Sequence, residues 1–243
     1  MERCAIVTGV SRGLGEALAA DLLQRGWRVL GIGRHDSPRL AQAGYAFASA
    51  DLADANDLDA RLAPAFATAA ARAPSAAVLV NNAAGAGPVG VFGALQGTDI
   101  AASIALDLAA PAVLANLFCR VFVDAACDRR IVNVSSGAAV RTLAGGGVYC
   151  TAKAGLEMLT RVIADEHATA TLRAITLRPG IIDTEMQVYM RSQSSDVLPS
   201  VDLFQGFHAS GQLVAPATVA RKTIERLIEG PIEAGRTYSY AEL

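Results

Sequence analysis

The sequence predicts an α/β fold: one doubly wound domain, a seven-stranded parallel sheet with helices on both faces. Three observations predict it. Apolar runs alternate with amphipathic stretches along all 243 residues, and strand–helix alternation implies a parallel sheet covered on both sides. The first apolar run passes through a glycine-rich turn straight into a helix start, which is how such sheets open. No Pro/Ser-rich linker or charge run divides the chain, so a single domain is expected over residues 1–243. Hydrophobic residues make up 52% and charged residues 18%, enough apolar surface for a filled core and against disorder.

The elements follow in order. Residues 4–7 read as a strand, with Ala5-Ile6-Val7 as its buried run. Thr8-Gly9-Val10-Ser11-Arg12-Gly13-Leu14-Gly15 comes next. Ala17, Leu18, Leu22 and Leu23 then mark the apolar face of a helix over 15–25. Glycines let the backbone approach an anion, and the helix N-terminus attracts it through free N–H groups and its dipole. A glycine pattern alone is weak; the strand–turn–helix context gives it weight. Further strands are expected at 28–32, 45–50, 77–80, 130–134, 174–177 and 237–240, with helices near 56–71, 99–126, 148–167 and 216–228. The alanine-rich stretch 63–77 reads as a helix ended by a turn at Pro74. Pro111 should kink the helix that contains it. Residues 183–215 form the one long irregular segment, a length typical of a functional lid. Its Met186, Val188, Tyr189, Met190, Leu198, Leu203, Phe204 and Phe207 would line an apolar pocket, a role compatible with a pair of small helices packed on the core.

The chemistry gathers at Ser136, Tyr149 and Lys153. Thirteen positions separate the first two and four separate the last two. A Tyr and a Lys four apart share one helix face. An ammonium beside a phenol favours the phenolate and lowers a pKa that is ordinarily about 10, making the phenol a usable acid near neutral pH.

Other classes are excluded by composition. The net charge of -2 offers no basic footprint for nucleic acid. No charge-free apolar stretch of about 20 residues is evident, so no membrane span is expected. The first strand begins almost at Met1, leaving no room for a signal peptide. Cys4, Cys119, Cys127 and Cys150 form no CxxC pair; reduced thiols in the cytoplasm are expected. His35, His167 and His208 lack metal-ligand spacing, so no metal is expected.

With TGxxxGxG at Thr8 to Gly15, Asp51-Leu52, Asn81-Asn82-Ala83-Ala84-Gly85, Ser136, Tyr149, Lys153, and Pro179-Gly180 with Thr184, in that order, the chain resembles the short-chain dehydrogenases/reductases. Residues 131–137, 149–155 and 179–187 are similar to the sepiapterin reductase-like and bacterial benzil reductase group. The resemblance implies one NAD(P)-binding Rossmann domain with a substrate lid around 183–215. It implies that Ser136 and Tyr149 hold a carbonyl oxygen, that Tyr149 is the general acid, and that Lys153 holds the nicotinamide ribose and tunes Tyr149. The cofactor would meet Gly9, Ser11, Arg12, Gly13, Leu14 and Gly15 in the turn, with Asp51 and Leu52 beside adenine. Asn82, Ala83 and Val134 would meet it at strand ends, and Pro179, Gly180, Ile182 and Thr184 at the nicotinamide. Turn or capping chemistry alone would also suit Asp51 and Asn82. Gly33 stands where NAD-preferring relatives carry an acid that binds the ribose 2′-hydroxyl. With Arg12 and Arg34 nearby, NADP(H) is expected. Cys150 reads as a packing residue.

One departure stands out. The family's active-site Asn is replaced by Asp107, in Leu106-Asp107-Leu108. Asp has the shape of Asn but no donors when ionised. The implied activity is reduction of a hydrophobic or aromatic ketone or diketone. The alternatives are a non-catalytic dinucleotide-binding sensor or scaffold and a 3-ketoacyl-type reductase. A homodimer or homotetramer is expected through the helices of Asp107 and Tyr149, by way of Leu108, Ala112, Val113, Ala115 and Leu117, then Leu156, Leu159 and Val162.

Overall fold

In β1 (Arg3–Thr8), Cys4 and Ile6 point to one side and Ala5 and Val7 to the other, and all four are buried. That near-continuous apolar run is what a strand covered on both faces requires. The structure, a computed structural model, describes residues 2–124, 126–168 and 171–243. β2 (Arg28–Gly33), β3 (Tyr45–Ser49), β4 (Ala76–Asn81), β5 (Asp128–Val134), β6 (Leu172–Arg178) and β7 (Thr237–Ser239) join β1 in one sheet. The order is β3-β2-β1-β4-β5-β6-β7 and every pairing is parallel. All seven strands expected from the sequence are present, each end within two residues.

Helices α1 (Gly13–Gln24) and α8 (Pro216–Thr223) cover one face with Leu18, Leu22 and Val219. Helices α2 (Leu58–Ala70), α4 (Ala110–Val121) and α5 (Gly147–Glu166) cover the other with Leu62, Phe66, Leu114, Phe118 and Ile163. The helix expected over 99–126 runs as α3 (Gly97–Ile104), a π-helical turn (Ala105–Ala109) and α4; Ala125 lies outside the described residues. Pro111 has no N–H for the carbonyl of Asp107, four residues back. The chain answers with a wider turn, the Ala110 N–H reaching the Ala105 carbonyl. The expected kink therefore takes the form of a π turn centred on Asp107.

At Gly97–Val121 this is the one helix among the described residues long and apolar enough to cross a membrane, with a mean hydropathy of 1.8 over its most apolar window. It carries Asp99, Asp107 and Arg120, so the expectation that no charge-free apolar stretch of about 20 residues exists holds. Here it packs on α2, α5 and the sheet.

Residues 183–215 carry the pair of small helices that the sequence allowed. They form α6 (Glu185–Arg191) and α7 (Val201–Ala209). Both ends are fastened at one bridge: the Asp183 N–H donates to the Val214 carbonyl at 2.9 Å and the Val214 N–H to the Ile181 carbonyl at 2.8 Å. Met190, Leu198 and Phe204 are buried in a small separate core with Val201, against Ala86, Val89 and Leu143. Val188, Tyr189 and Leu203 are exposed. The apolar residues of the segment thus divide between packing and surface, instead of all lining a pocket. On the expected dimer faces, Ala115, Leu117 and Leu156 turn into the protomer's own core, while Met158 and Val162 point outward.

Candidate active site

The strand order reverses direction between β1 and β4, and ligands of such sheets bind at that crevice. The turn after β1 is built for close approach. Gly9 has φ +72°, and a Cβ on Gly15 would stand 2.2 Å from the Gly9 carbonyl oxygen, so α1 can start against the strand only without a side chain there. No side chain caps the start of α1, which leaves its first N–H groups free for an anion. Gly13 has φ +63° and faces the Thr184 methyl. The residues fit a dinucleotide's diphosphate.

Thr8, absent from the expected site, ties this turn to the end of β4. Its Oγ1 accepts the N–H groups of Asn82 and Ala83, each at 2.9 Å, while the Asn82 amide donates to the Thr8 carbonyl at 2.9 Å. The signal was a hydroxyl-bearing residue at a buried strand end just before the glycines. Asn81 faces the other way, donating to Asn133 at 2.8 Å, and Asn133 donates to Thr160 at 2.9 Å. Ser11 is half-buried, and Leu14 and Leu52 pack into the core beneath. Asp51 closes its own turn, accepting the Ala53 N–H at 3.0 Å. Arg34 is exposed at the end of β2. At Gly33 nothing lies closer than 3.8 Å to the position of a Cβ. Arg12 pairs with Glu185 at the start of α6. A cavity of about 300 Å³ opens among Ala53, Gly85, Pro88, Ser103 and Leu106.

Ser136 lies two residues past the end of β5, and its Oγ accepts the Ala138 N–H at 3.2 Å in a short turn. On α5, Tyr149 and Lys153 share a face, with Nζ 5.5 Å from the phenol ring centroid. Lys153 is buried and donates to the Val134 carbonyl at 3.1 Å, so Val134 holds the lysine. The π turn presents Asp107, wholly buried, to the same place. Its Oδ1 lies 3.7 Å from Lys153 Nζ and accepts the Gly85 N–H at 3.2 Å, while Oδ2 has no partner.

Burial pushes the Asp107 carboxyl up, against the pull of Lys153 and the Gly85 N–H. Burial pushes the Lys153 ammonium down, against Asp107. Tyr149 is pushed up by burial and then by the Asp107 charge, with the Ser136 hydroxyl acting in the opposite direction. The expectation that Lys153 lowers Tyr149 is therefore not met. Burial of the phenol is the main reason, and the Asp107 charge adds to it.

The loop after β6 reaches back over the glycine turn. Gly180 has φ +77° against Tyr240, and Thr184 Oγ1 donates to the Ile182 carbonyl at 3.4 Å. Behind it, Glu157 accepts hydrogen bonds from Ser135 and Arg178, a cluster the sequence reading passed over. The Cys150 thiol donates to the Arg141 carbonyl at 3.6 Å. Among the described residues no three His, Cys, Asp or Glu side chains gather as a metal site. The arrangement can present a hydroxyl pair, Ser136 and Tyr149, to a substrate oxygen beside a dinucleotide cradle.

The model of the short chain dehydrogenase family matches residues 3–195. The benzil reductase ((S)-benzoin forming) of Bacillus cereus is 30% identical over 235 residues, covering 93% of this chain and 94% of that protein. The sepiapterin reductase of Meriones unguiculatus is 32% identical over 251 residues, covering 96% of this chain and 94% of that protein. The crystal structure of a short chain dehydrogenase/reductase from Saccharomyces cerevisiae aligns with a TM-score of 0.83 at 22% identity, covering 98% of this chain and 96% of that one.

Proposed function

We propose that this chain, which belongs to the short-chain dehydrogenase family, is an NADP(H)-dependent carbonyl reductase for hydrophobic or aromatic ketones and diketones. The observation that carries the reading is the set of hydroxyls of Ser136 and Tyr149 above buried Lys153, beside a glycine turn that admits a diphosphate. When bound, the reduced nicotinamide supplies the hydride. Ser136 and Tyr149 hold the carbonyl oxygen, and the Tyr149 hydroxyl proton passes to that oxygen as it gains charge. Lys153 holds the nicotinamide ribose and stabilises the phenolate left behind. Relatives named for benzil and sepiapterin reduction support an aromatic carbonyl substrate. Half-buried Met186 and Leu143 pack on the small core of α6 and α7, and residues 183–215 would form the lid over a single domain. The four free cysteines agree with a reducing cytoplasm.

Arg12 and Arg34 support NADP(H), and Gly33 presents no charge to oppose a 2′-phosphate. Charge-assisted contacts of this kind contribute roughly 1.5–3 kcal/mol each before solvent losses. NADPH should therefore bind more tightly than NADH, and Arg34→Asp should narrow or reverse the preference. Fluorescence titration with equal or tighter NADH binding would refute the choice of cofactor.

Steady-state NADPH oxidation over a panel of ketones tests the activity. Turnover of an aromatic diketone is expected. Cofactor binding without turnover of any ketone would favour the second reading, a dinucleotide-binding sensor or scaffold, for which Asp107 is the supporting feature. We also propose self-association through the outward faces of α4 and α5, where Met158 and Val162 are exposed; a monomer mass by light scattering at micromolar concentration would exclude it.

A further inference from the structure

The geometry points to Glu157 as a positioning residue that holds the Ser136 strand end and the loop of Pro179 to Thr184 in register with the helix of Tyr149 and Lys153. Glu157 follows Lys153 by four residues on α5, one turn on along the same face. It is 8% exposed. Its Oε1 accepts the Ser135 hydroxyl at 2.8 Å and Arg178 Nε at 2.8 Å; its Oε2 accepts Arg178 Nη2 at 2.7 Å. Ser135 immediately precedes Ser136. Arg178, the last residue of β6, immediately precedes Pro179.

The place matters because the β5–β6 ladder ends there. Val134 pairs with Leu177, and the Ser135 N–H donates to the Leu177 carbonyl at 2.7 Å. Beyond those residues the two chains diverge, one to the proposed catalytic serine and the other to the proposed nicotinamide loop. One carboxylate bridges them where the backbone no longer does. A bidentate Arg–carboxylate fork fixes orientation as well as distance. Buried ion pairs add little stability against apolar replacements, so geometry is the more direct use of this one. Its kinetic consequence rests on the carbonyl reductase reading.

The test uses the whole enzyme with Glu157→Gln and Arg178→Lys. The first keeps an acceptor for Ser135 and weakens the fork; the second keeps the charge at a partly exposed position and removes the planar fork. Each variant should lower kcat about 10- to 100-fold, the cost of a small misplacement. The KM for ketone and the NADPH dissociation constant should stay within about threefold of wild type. Amide exchange should accelerate at residues 135–140 and 179–184 while the first strand and helix stay unchanged. Turnover within about twofold of wild type, or lost turnover with unchanged exchange at both segments, would overturn the assignment. If Glu157→Gln does not fold, Arg178→Lys alone decides by the same signature. If wild type reduces no ketone, the functional reading fails, and exchange at the two segments still decides whether Glu157 holds them.

Discussion

Two ion pairs sit one turn apart on α5, and they are finished to different degrees. Glu157 is matched at both oxygens by a fork from Arg178 and a hydroxyl from Ser135, all within 2.8 Å. Lys153 stands 3.7 Å from Asp107, too far for a hydrogen bond, and one carboxylate oxygen of Asp107 has no partner. The first pair is a fixed joint. In the second, burial pushes the acid up and the base down. Complete bonding holds position; incomplete bonding beside the phenol leaves charge to be adjusted.

The largest break in this comparison comes from the phenol that the second pair addresses. Tyr149→Phe keeps the ring and removes the proton. General acid catalysis contributes about 10²–10⁴-fold, and turnover should fall by that order with NADPH affinity nearly intact. A variant that keeps more than about a tenth of wild-type turnover would remove Tyr149 as the acid, and with it the reason for the pair beneath.

Next comes Lys153→Met, which leaves Asp107 buried without its counter-charge. Removing one partner of a buried pair costs about 3–5 kcal/mol. The sign with pH follows from the direction of the shift. A carboxyl whose folded pKa is raised contributes stability that is present below the unfolded value and lost as pH rises through the folded one. Burial already raises Asp107, and loss of Lys153 removes its main opposing pull. The variant should be markedly less stable than wild type at pH 8 and recover part of the deficit toward about pH 4, where an unfolded Asp is itself about half protonated. Urea unfolding at both values checks this. A deficit independent of pH would mean that Asp107 is not the group left exposed to the change.

How much of this was legible depended on whether the information was local. The glycine turn, the Tyr149–Lys153 spacing and the apolar runs of β1, β4 and β5 are short strings whose meaning is set within a few residues, and all lie where the sequence put them. The proximity of Asp107 to Lys153 followed from the family pattern at that position. The Glu157–Arg178 fork joins residues 21 apart in sequence through tertiary packing, and neither residue type signals the other. Pro111 signalled a disturbance, but a missing N–H is compatible with a kink or with a wider i→i+5 turn, and the residue type does not say which. In 183–215 the helices have only 7 and 9 residues, too short for a clear apolar period. Which of Met190, Tyr189 and Leu203 is buried is decided by the loops they meet.

The smallest and sharpest prediction is Asp107→Asn. The substitution keeps the volume and removes the charge. In wild type, Asp107 raises both Tyr149 and Lys153. The proposed reduction needs Tyr149 protonated and Lys153 charged, so each would limit the rate as pH rises through its pKa. Without the carboxylate both values fall, and the basic limb of the pH–rate profile should move to lower pH. At a pH below that limb the phenol is a stronger acid, and turnover should hold or rise modestly. Glu157→Gln should do the reverse: it lowers turnover across the profile and leaves the limb in place, because the fork meets neither phenol nor ammonium. Profiles of the two variants beside wild type separate charge from position. Coincident limbs and rates for Asp107→Asn would mean the carboxyl is already neutral in the working range, and the contrast between the two pairs would then be one of bonding alone.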